Sequence, residues 1–145
     1  MIGLIQRVSH AEVMVGSETV GRIGQGLLAL IGVQPEDSPA TVERMVERLL
    51  GYRVFEDEAG RMNRSLSDIG GGLLLVPQFT LAADTRTGTR AGFSTAAPPA
   101  LARERFDQVI ACARRHYHDV ATGRFGADMA VSLTNMGPVT FWLEA

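Results

Sequence analysis

Apolar residues come in short runs through the first third of the chain. Residues 2–8 and 11–15 are rich in Ile, Val and Leu and read as two strands, followed by a Gly16-Ser17-Glu18 turn and a short segment from Thr19 to Ile23. Gly24-Gln25-Gly26 then leads into Leu27-Leu28-Ala29-Leu30-Ile31-Gly32-Val33, a run of buried-strand length. Strands this close together, joined by tight glycine turns, favour antiparallel hairpins. At Ser38-Pro39 the period changes. Serine caps a helix, proline takes its first position, and Val42, Met45, Val46, Leu49 and Leu50 recur along one face while Glu43, Arg44, Glu47 and Arg48 hold the other. Gly51 ends that helix, and Tyr52-Arg53-Val54-Phe55 predicts another strand before the polar turn of residues 56–64. Gly70-Gly71-Gly72 introduces Leu73-Leu74-Leu75-Val76, again a buried strand.

Periodicity then disappears from Ala83 to Pro99, a loop long enough to expect a functional role. Pro98-Pro99 opens a second helix with Leu101, Phe106, Val109, Ile110 and Ala113 on its apolar face. The chain closes with strands at residues 129–133 and 139–143 around a tight turn containing Gly137-Pro138. The expected architecture is α/β: a single domain over residues 1–145, with a mostly antiparallel or mixed, barrel-like sheet and two main helices.

Composition narrows the setting. A 145-residue chain can bury roughly two-thirds of the surface it exposes when unfolded. Its 46% hydrophobic and 21% charged content fits a globular protein. No apolar run approaches the roughly 20 residues of a membrane helix, and residues 1–8 lack the basic start and apolar centre of a signal peptide. The single cysteine, Cys112, excludes an internal disulfide framework and suits a reducing compartment, so the expectation is cytoplasmic, without a membrane partner. The formal net charge of −2 does not announce broad binding to a duplex backbone. Arg86, Arg90, Arg114 and Arg115 read as solvated positions, so any RNA contact must be local, as at a single-stranded end.

Standard catalytic equipment is missing. His116 and His118, with Cys112 four residues before His116, have no second ligand cluster elsewhere, and structural zinc takes four ligands; no metal is expected. Neither a Gly-x-Ser-x-Gly elbow, a phosphate-binding lysine loop nor His-Glu-x-x-His is present. The triple glycine precedes a strand rather than a helix, the wrong order for a phosphate cradle. Two segments stand out instead. In Pro77-Gln78-Phe79-Thr80-Leu81, the Gln78 amide, the Thr80 hydroxyl and the N–H groups of Phe79 and Thr80 can face a ligand; in isolation such a segment is a strand end. Asn135-Met136-Gly137-Pro138-Val139-Thr140, seen alone, is a turn.

Together, the two segments resemble the signature motifs of the D-aminoacyl-tRNA deacylase family, Ser-Gln-Phe-Thr and Asn-x-Gly-Pro-x-Thr. The likeness runs along nearly the whole chain, through Ile5-Gln6-Arg7-Val8, Leu50-Gly51-Tyr52-Arg53-Val54-Phe55, Gly123-Arg124-Phe125-Gly126-Ala127-Asp128-Met129 and Phe141-Trp142-Leu143. Pro77 departs from it, standing where the family has serine, and no role is carried onto that position. The resemblance implies a two-fold homodimer without a cofactor, acting in chiral proofreading during translation. Its substrate would be the 3′-terminal aminoacyl-adenosine of tRNA, and its product free D-amino acid. Gln78, Phe79 and Thr80 would form the catalytic segment, their backbone donors stabilising an oxyanion at about 3–4 kcal/mol each.

The partner's Gly137 and Pro138, joined in the family by a cis bond, would present carbonyls to the α-amino group and exclude an L side chain. Glycine, having no side chain, would escape that exclusion, so glycyl-tRNA is also an expected substrate. Phe125 and Met129 match the adenosine-binding region, though both also read as core residues. Arg7 would hold the Gly-Pro segment in place. Either Thr80 or the substrate's 2′-hydroxyl would assist attack, the latter fitting better because no base is evident. Two other readings use the same residues: a nucleotide- or RNA-binding module without turnover, favoured by Pro77, and a small-ester hydrolase built on Thr80.

Overall fold

A computed structural model describes residues 1–145. Its organising element is β1 (Ile2–Val15), one continuous strand where two were expected. The first half of β1 pairs antiparallel with β3 (Gly26–Gly32), and the second half with β2 (Glu18–Ile23). Along its other edge runs β8 (Ala130–Glu144), antiparallel to both halves. β6 (Gly72–Pro77) lies parallel to β3, and β7 (Val120–Thr122) parallel to β6. Gly21 of β2 lies so close to the Thr122 carbonyl of β7 that a Cβ would overlap it, which brings the free ends of the sheet together into a nearly closed barrel. The mixed-sheet expectation is met, with parallel pairs at β3–β6–β7.

Alternation along the strands builds two apolar layers. Leu28, Leu74 and Val76 face the barrel interior with Val8, Val13 and Ile23. Leu27, Ala29, Ile31, Leu73 and Leu75 point the other way, onto the helices. There α1 (Pro39–Gly51) presents Val42, Met45, Val46, Leu49 and Leu50, all buried as its periodicity predicts, behind a Ser38–Thr41 capping box. α3 (Pro99–His116) buries Ala102, Phe106, Val109, Cys112 and Ala113; Leu101 and Ile110, expected on that face, are only half-buried. A third, single-turn helix, α2 (Leu66–Ile69), joins the two expected ones. It is capped reciprocally by Ser65 and Asp68 and ended by Gly70 in the left-handed region at φ 65°. The glycine run also lets β3 and β6 approach closely, since a Cβ on Gly26 would overlap the Gly72 carbonyl.

Two boundaries differ from the sequence reading. The strand expected at residues 52–55 is confined to β4 (Phe55–Glu56), which forms a small hairpin with β5 (Met62–Arg64). At the C-terminus, the two strands and tight turn are one strand with a bulge. Gln6 pairs with Thr140 and Val8 with Asn135, so residues 136–139 stand out of the ladder opposite Arg7 alone. Proline has no N–H to give a ladder, and a bulge is where a strand tolerates it. The loop expected between residues 83 and 99 is present, drawn in by an isolated bridge between Asp84 and Gly92. No helix is long and apolar enough to cross a membrane.

Candidate active site

The first motif sits where β6 runs out. The Gln78 N–H donates to the Ile31 carbonyl at 2.8 Å, the last tie to β3, and the chain then tightens into a 3-10 turn at Phe79–Ala82. The opening N–H groups of a helical turn have no partner inside it, and no side chain caps this one. Beside them the Gln78 amide donates to the Thr80 hydroxyl at 2.5 Å. Phe79 and Thr80 are exposed. Pro77 fits because N–H directions alternate along a strand: Gln78 points its N–H to β3, so the Pro77 nitrogen faces the other edge. There the β7 pairing has already ended at Leu75. Proline at this place removes no ladder bond, only the hydroxyl a serine would bring.

A cavity of about 470 Å³ opens beside this segment, with Gln78, Phe79, Phe125 and Met129 in its wall. Phe125 is half-buried, its ring 6.3 Å from that of Phe106 and covered by the Arg103 guanidinium at 4.8 Å. The Met129 sulfur accepts the Arg124 N–H at 3.3 Å. Packing and pocket lining are therefore not alternatives here: each side chain rests on the core with one side and lines the cavity with the other. Ala97, Ala102 and Val131 also line that wall, and no functional expectation from the sequence fell on them. Pro98-Pro99 marked the start of α3 but could not say what its first turn packs beside.

The second motif forms the bulge in β8, and its polar residues build that bulge. Asn135 accepts the Val139 N–H at 2.7 Å and donates to the Val139 carbonyl at 3.2 Å and the Thr140 hydroxyl at 2.9 Å, closing the neck of the loop. Gly137 lies at φ 140°, where a side chain is strained, and the Gly137-Pro138 bond is cis. Arg7 reaches across from β1, with Nε donating to the Met136 carbonyl at 2.8 Å and Nη1 to the Val54 carbonyl at 2.8 Å. It thus ties the bulge to the segment leading into β4. Arg7, Arg64, Phe55, Met136 and Gly137 line a separate cavity of about 660 Å³.

Within one chain the two motifs do not meet at any of the four main cavities: none is lined by residues of both. Thr80 itself borders a third depression of about 500 Å³ with Trp142, Asp84 and Arg86. In it the Arg86 guanidinium and N–H hold the Asp84 carboxyl down at about 2. None of the three histidines lines these walls. His10 is exposed on β1, His116 contacts the Cys112 carbonyl at 2.9 Å, and His118 lies against Tyr117. No group of three His, Cys, Asp or Glu side chains is placed to hold a metal ion.

The profile of the D-Tyr-tRNA(Tyr) deacylase family matches residues 4–144. The D-aminoacyl-tRNA deacylase of Thioalkalivibrio sulfidiphilus (strain HL-EbGR7) is 67% identical over 144 residues, covering 99% of this chain and 97% of that protein. That of Pseudomonas entomophila (strain L48) is 62% identical over 144 residues, with 99% of each covered. Among solved structures, the c-Myc DNA Unwinding Element Binding Protein superposes with a TM-score of 0.95 at 37% identity, over 100% of this chain and 99% of that one. A probable eukaryotic D-amino acid tRNA deacylase shares the fold at a TM-score of 0.80 and 17% identity, over 99% and 98% of the two chains. With a family profile running almost end to end and relatives this similar over their full lengths, the chain belongs to the D-aminoacyl-tRNA deacylase family of hydrolases.

Proposed function

We propose that this protein hydrolyses the ester between a D-amino acid, or glycine, and the 3′-terminal adenosine of tRNA, and that each of its sites is built from two copies of the chain. The adenine enters the cavity bordered by Phe125 and Met129, which leaves the ester carbonyl at the turn that begins with Phe79. There the unpartnered N–H groups of Phe79 and Thr80 stabilise the oxyanion of the tetrahedral intermediate. Without a nearby histidine or lysine to activate Thr80, the substrate's own 2′-hydroxyl assists the attack of water, and no cofactor is needed. The carbonyls of Gly137 and Pro138 from the second copy bind the α-amino group and occupy the volume an L side chain requires. A D side chain points away unread, and glycine passes because it has nothing to exclude. Such a reaction on a tRNA end belongs in the cytoplasm.

The observation that carries the two-copy reading is the separation of the motifs, Gln78 and Phe79 on one cavity and the Gly-Pro bulge on another. In support, β8 pairs only with β1, so its far edge has no strand beside it, and Trp142 and Met136 on it are 50% and 47% exposed. An open edge this long invites pairing or coverage.

Complementation provides the test. A Phe79→Pro/Thr80→Pro chain, which lacks both oxyanion N–H groups, and a chain whose residues 136–139 are replaced by a Ser-Gly linker should each be inactive on D-aminoacyl-tRNA. Mixed dimers of the two should regain activity, since one of their two sites is fully furnished. Activity that stays absent in mixed dimers, or a parent that sediments as a monomer at micromolar concentration, would refute the shared site. A parent that releases no amino acid from D-aminoacyl- or glycyl-tRNA would refute the reaction.

A further inference from the structure

The loop between residues 83 and 97 carries an aromatic side chain that the hydrolysis scheme leaves unused. Phe93 is 48% exposed and Phe79 is 56% exposed. Their rings pack on each other with centroids 5.2 Å apart and planes inclined at 42°, leaving their outer faces open to solvent. Phe79 forms part of the wall of the Phe125 and Met129 cavity, and Phe93 packs on Phe79 from the loop. Phe93 is also held in place. Asp84 and Gly92 exchange two backbone hydrogen bonds at 2.8 and 2.9 Å immediately before it, Ala96 N–H donates to the Phe93 carbonyl at 3.1 Å, and the Thr95 hydroxyl donates to the Ala82 carbonyl at 2.6 Å. Of the loop's two arginines, Arg86 is engaged by Asp84, whereas Arg90 is exposed and forms no ion pair.

Arg90 stands three residues before Phe93 in the same loop, and proteins hold single strands with such a pairing of residue types: the base stacks on an aromatic ring and the phosphate meets a cation. We infer that Phe93, backed by Phe79, stacks the base of the nucleotide immediately before the terminal adenosine, and that Arg90 meets the phosphate between the two. This rests on reading the Phe125 and Met129 cavity as the terminal-adenosine site. The enzyme then recognises at least the last two nucleotides of its substrate. It does so by stacking and charge, which tolerate any base. A contact of this kind is local, in keeping with a chain whose net charge is −2 and which offers no broad basic face to a duplex.

Two small substrates isolate the contact: adenosine carrying a 3′-D-tyrosyl ester, and the dinucleotide cytidylyl-adenosine carrying the same ester. For the parent enzyme, kcat/KM on the dinucleotide should exceed that on the mononucleotide by about five- to hundredfold, the range for one stacked base. Phe93→Ala should bring that ratio close to one, Phe93→Trp should keep it, and Arg90→Gln should lower it while making it less sensitive to salt. Phe93→Leu, which retains apolar volume without an aromatic face, serves as the second variant should the alanine form fold poorly, and it should also lose the ratio. A parent ratio near one, or a Phe93→Leu ratio equal to the parent's, overturns the inference. So does a Phe93→Ala enzyme that sediments as a smaller species than the parent, which would make the pair a contact between copies. Failure of the parent to cleave either ester would instead refute the deacylase reading beneath it.

Discussion

Arg7 offers the most direct test of how the Gly-Pro bulge is held. Its guanidinium makes two charged-donor hydrogen bonds of 2.8 Å, one to Met136 in the bulge and one to Val54 before β4. Such bonds contribute about 1.5–3 kcal/mol each. The one to Met136 is exposed and belongs at the low end, so Arg7→Ala should cost about 2–4 kcal/mol in total. For a chain of this size that lowers the melting temperature by roughly 5–15 °C. Arg7→Lys should recover at most half, because one ammonium cannot donate along the two divergent directions of the guanidinium.

Asn135→Ala attacks the same loop from its own base, removing the bonds to Val139 and Thr140. Because both residues order one bulge, the double variant should lose less stability than the sum of the single losses. Urea denaturation gives these free energies, and deacylation of D- and L-aminoacyl-tRNA gives the functional side: Arg7→Ala should lower kcat/KM for the D substrate and erode discrimination against the L. An Arg7→Ala enzyme that melts within about 1 °C of the parent and keeps its D-to-L ratio would refute Arg7 as the anchor of the bulge.

Thr80→Ala should keep kcat within about tenfold of the parent, whereas tRNA ending in 2′-deoxyadenosine should lose the factor of about 10²–10⁴ typical of a positioned proton-transfer group; the reverse pattern in single-turnover assays makes Thr80 the nucleophile. Gly72→Ala places a Cβ 2.7 Å from that of Ile23 inside the barrel and should destabilise by about 1–3 kcal/mol, so an unchanged urea midpoint would be inconsistent with the close packing there. Asp37→Asn leaves the buried Met1 ammonium without its carboxylate at 2.6 Å. Gln34 and the Ala145 carbonyl still accept from that ammonium, which places the loss near the lower end of about 3–5 kcal/mol, readable by the same denaturation. Asp84 titrates at about 2 because Arg86 hydrogen-bonds its carboxylate. That depressed value means the interaction is fully present above the ordinary carboxylate range and disappears as pH falls toward 2; Arg86→Ala should move the Asp84 carboxyl carbon titration upward by NMR, and a curve that does not move would exclude Arg86 as its cause.

What could be read from sequence was local. The Ser38-Pro39 start and the buried face of α1 follow from capping chemistry and a 3.6-residue period within thirteen residues of chain. β1 and β3 were visible as apolar runs. The parallel pairing of β3 with β6 was not, because Leu73–Val76 is buried on both faces and carries no alternation to orient it. β7 is only three half-buried residues, and its place is fixed by β6 rather than by its own composition. The C-terminal turn was misread for a related reason. Gly-Pro between apolar segments is locally a turn signal, but β1 supplies fourteen residues of uninterrupted strand, and pairing on both sides of the motif forces the same residues into a bulge.

The site residues divide in a similar way, and the division explains why each motif looked bland alone. In Asn135-Met136-Gly137-Pro138-Val139-Thr140, the polar side chains of Asn135 and Thr140 are spent on closing the loop, so what the bulge offers outward is backbone. In Gln78-Phe79-Thr80, the two polar side chains bond to each other, and the turn again offers backbone, this time N–H groups. A donor-only surface and an acceptor-only surface are each incomplete for an aminoacyl ester, whose carbonyl oxygen needs donors and whose α-ammonium needs acceptors. One chain displays the two surfaces on different cavities. A two-fold axis that brings the bulge of one copy to the turn of the other would complete both sites at once. The chemistry would then depend on backbone held by packing, a kind of site that no search for catalytic side chains can find in a sequence.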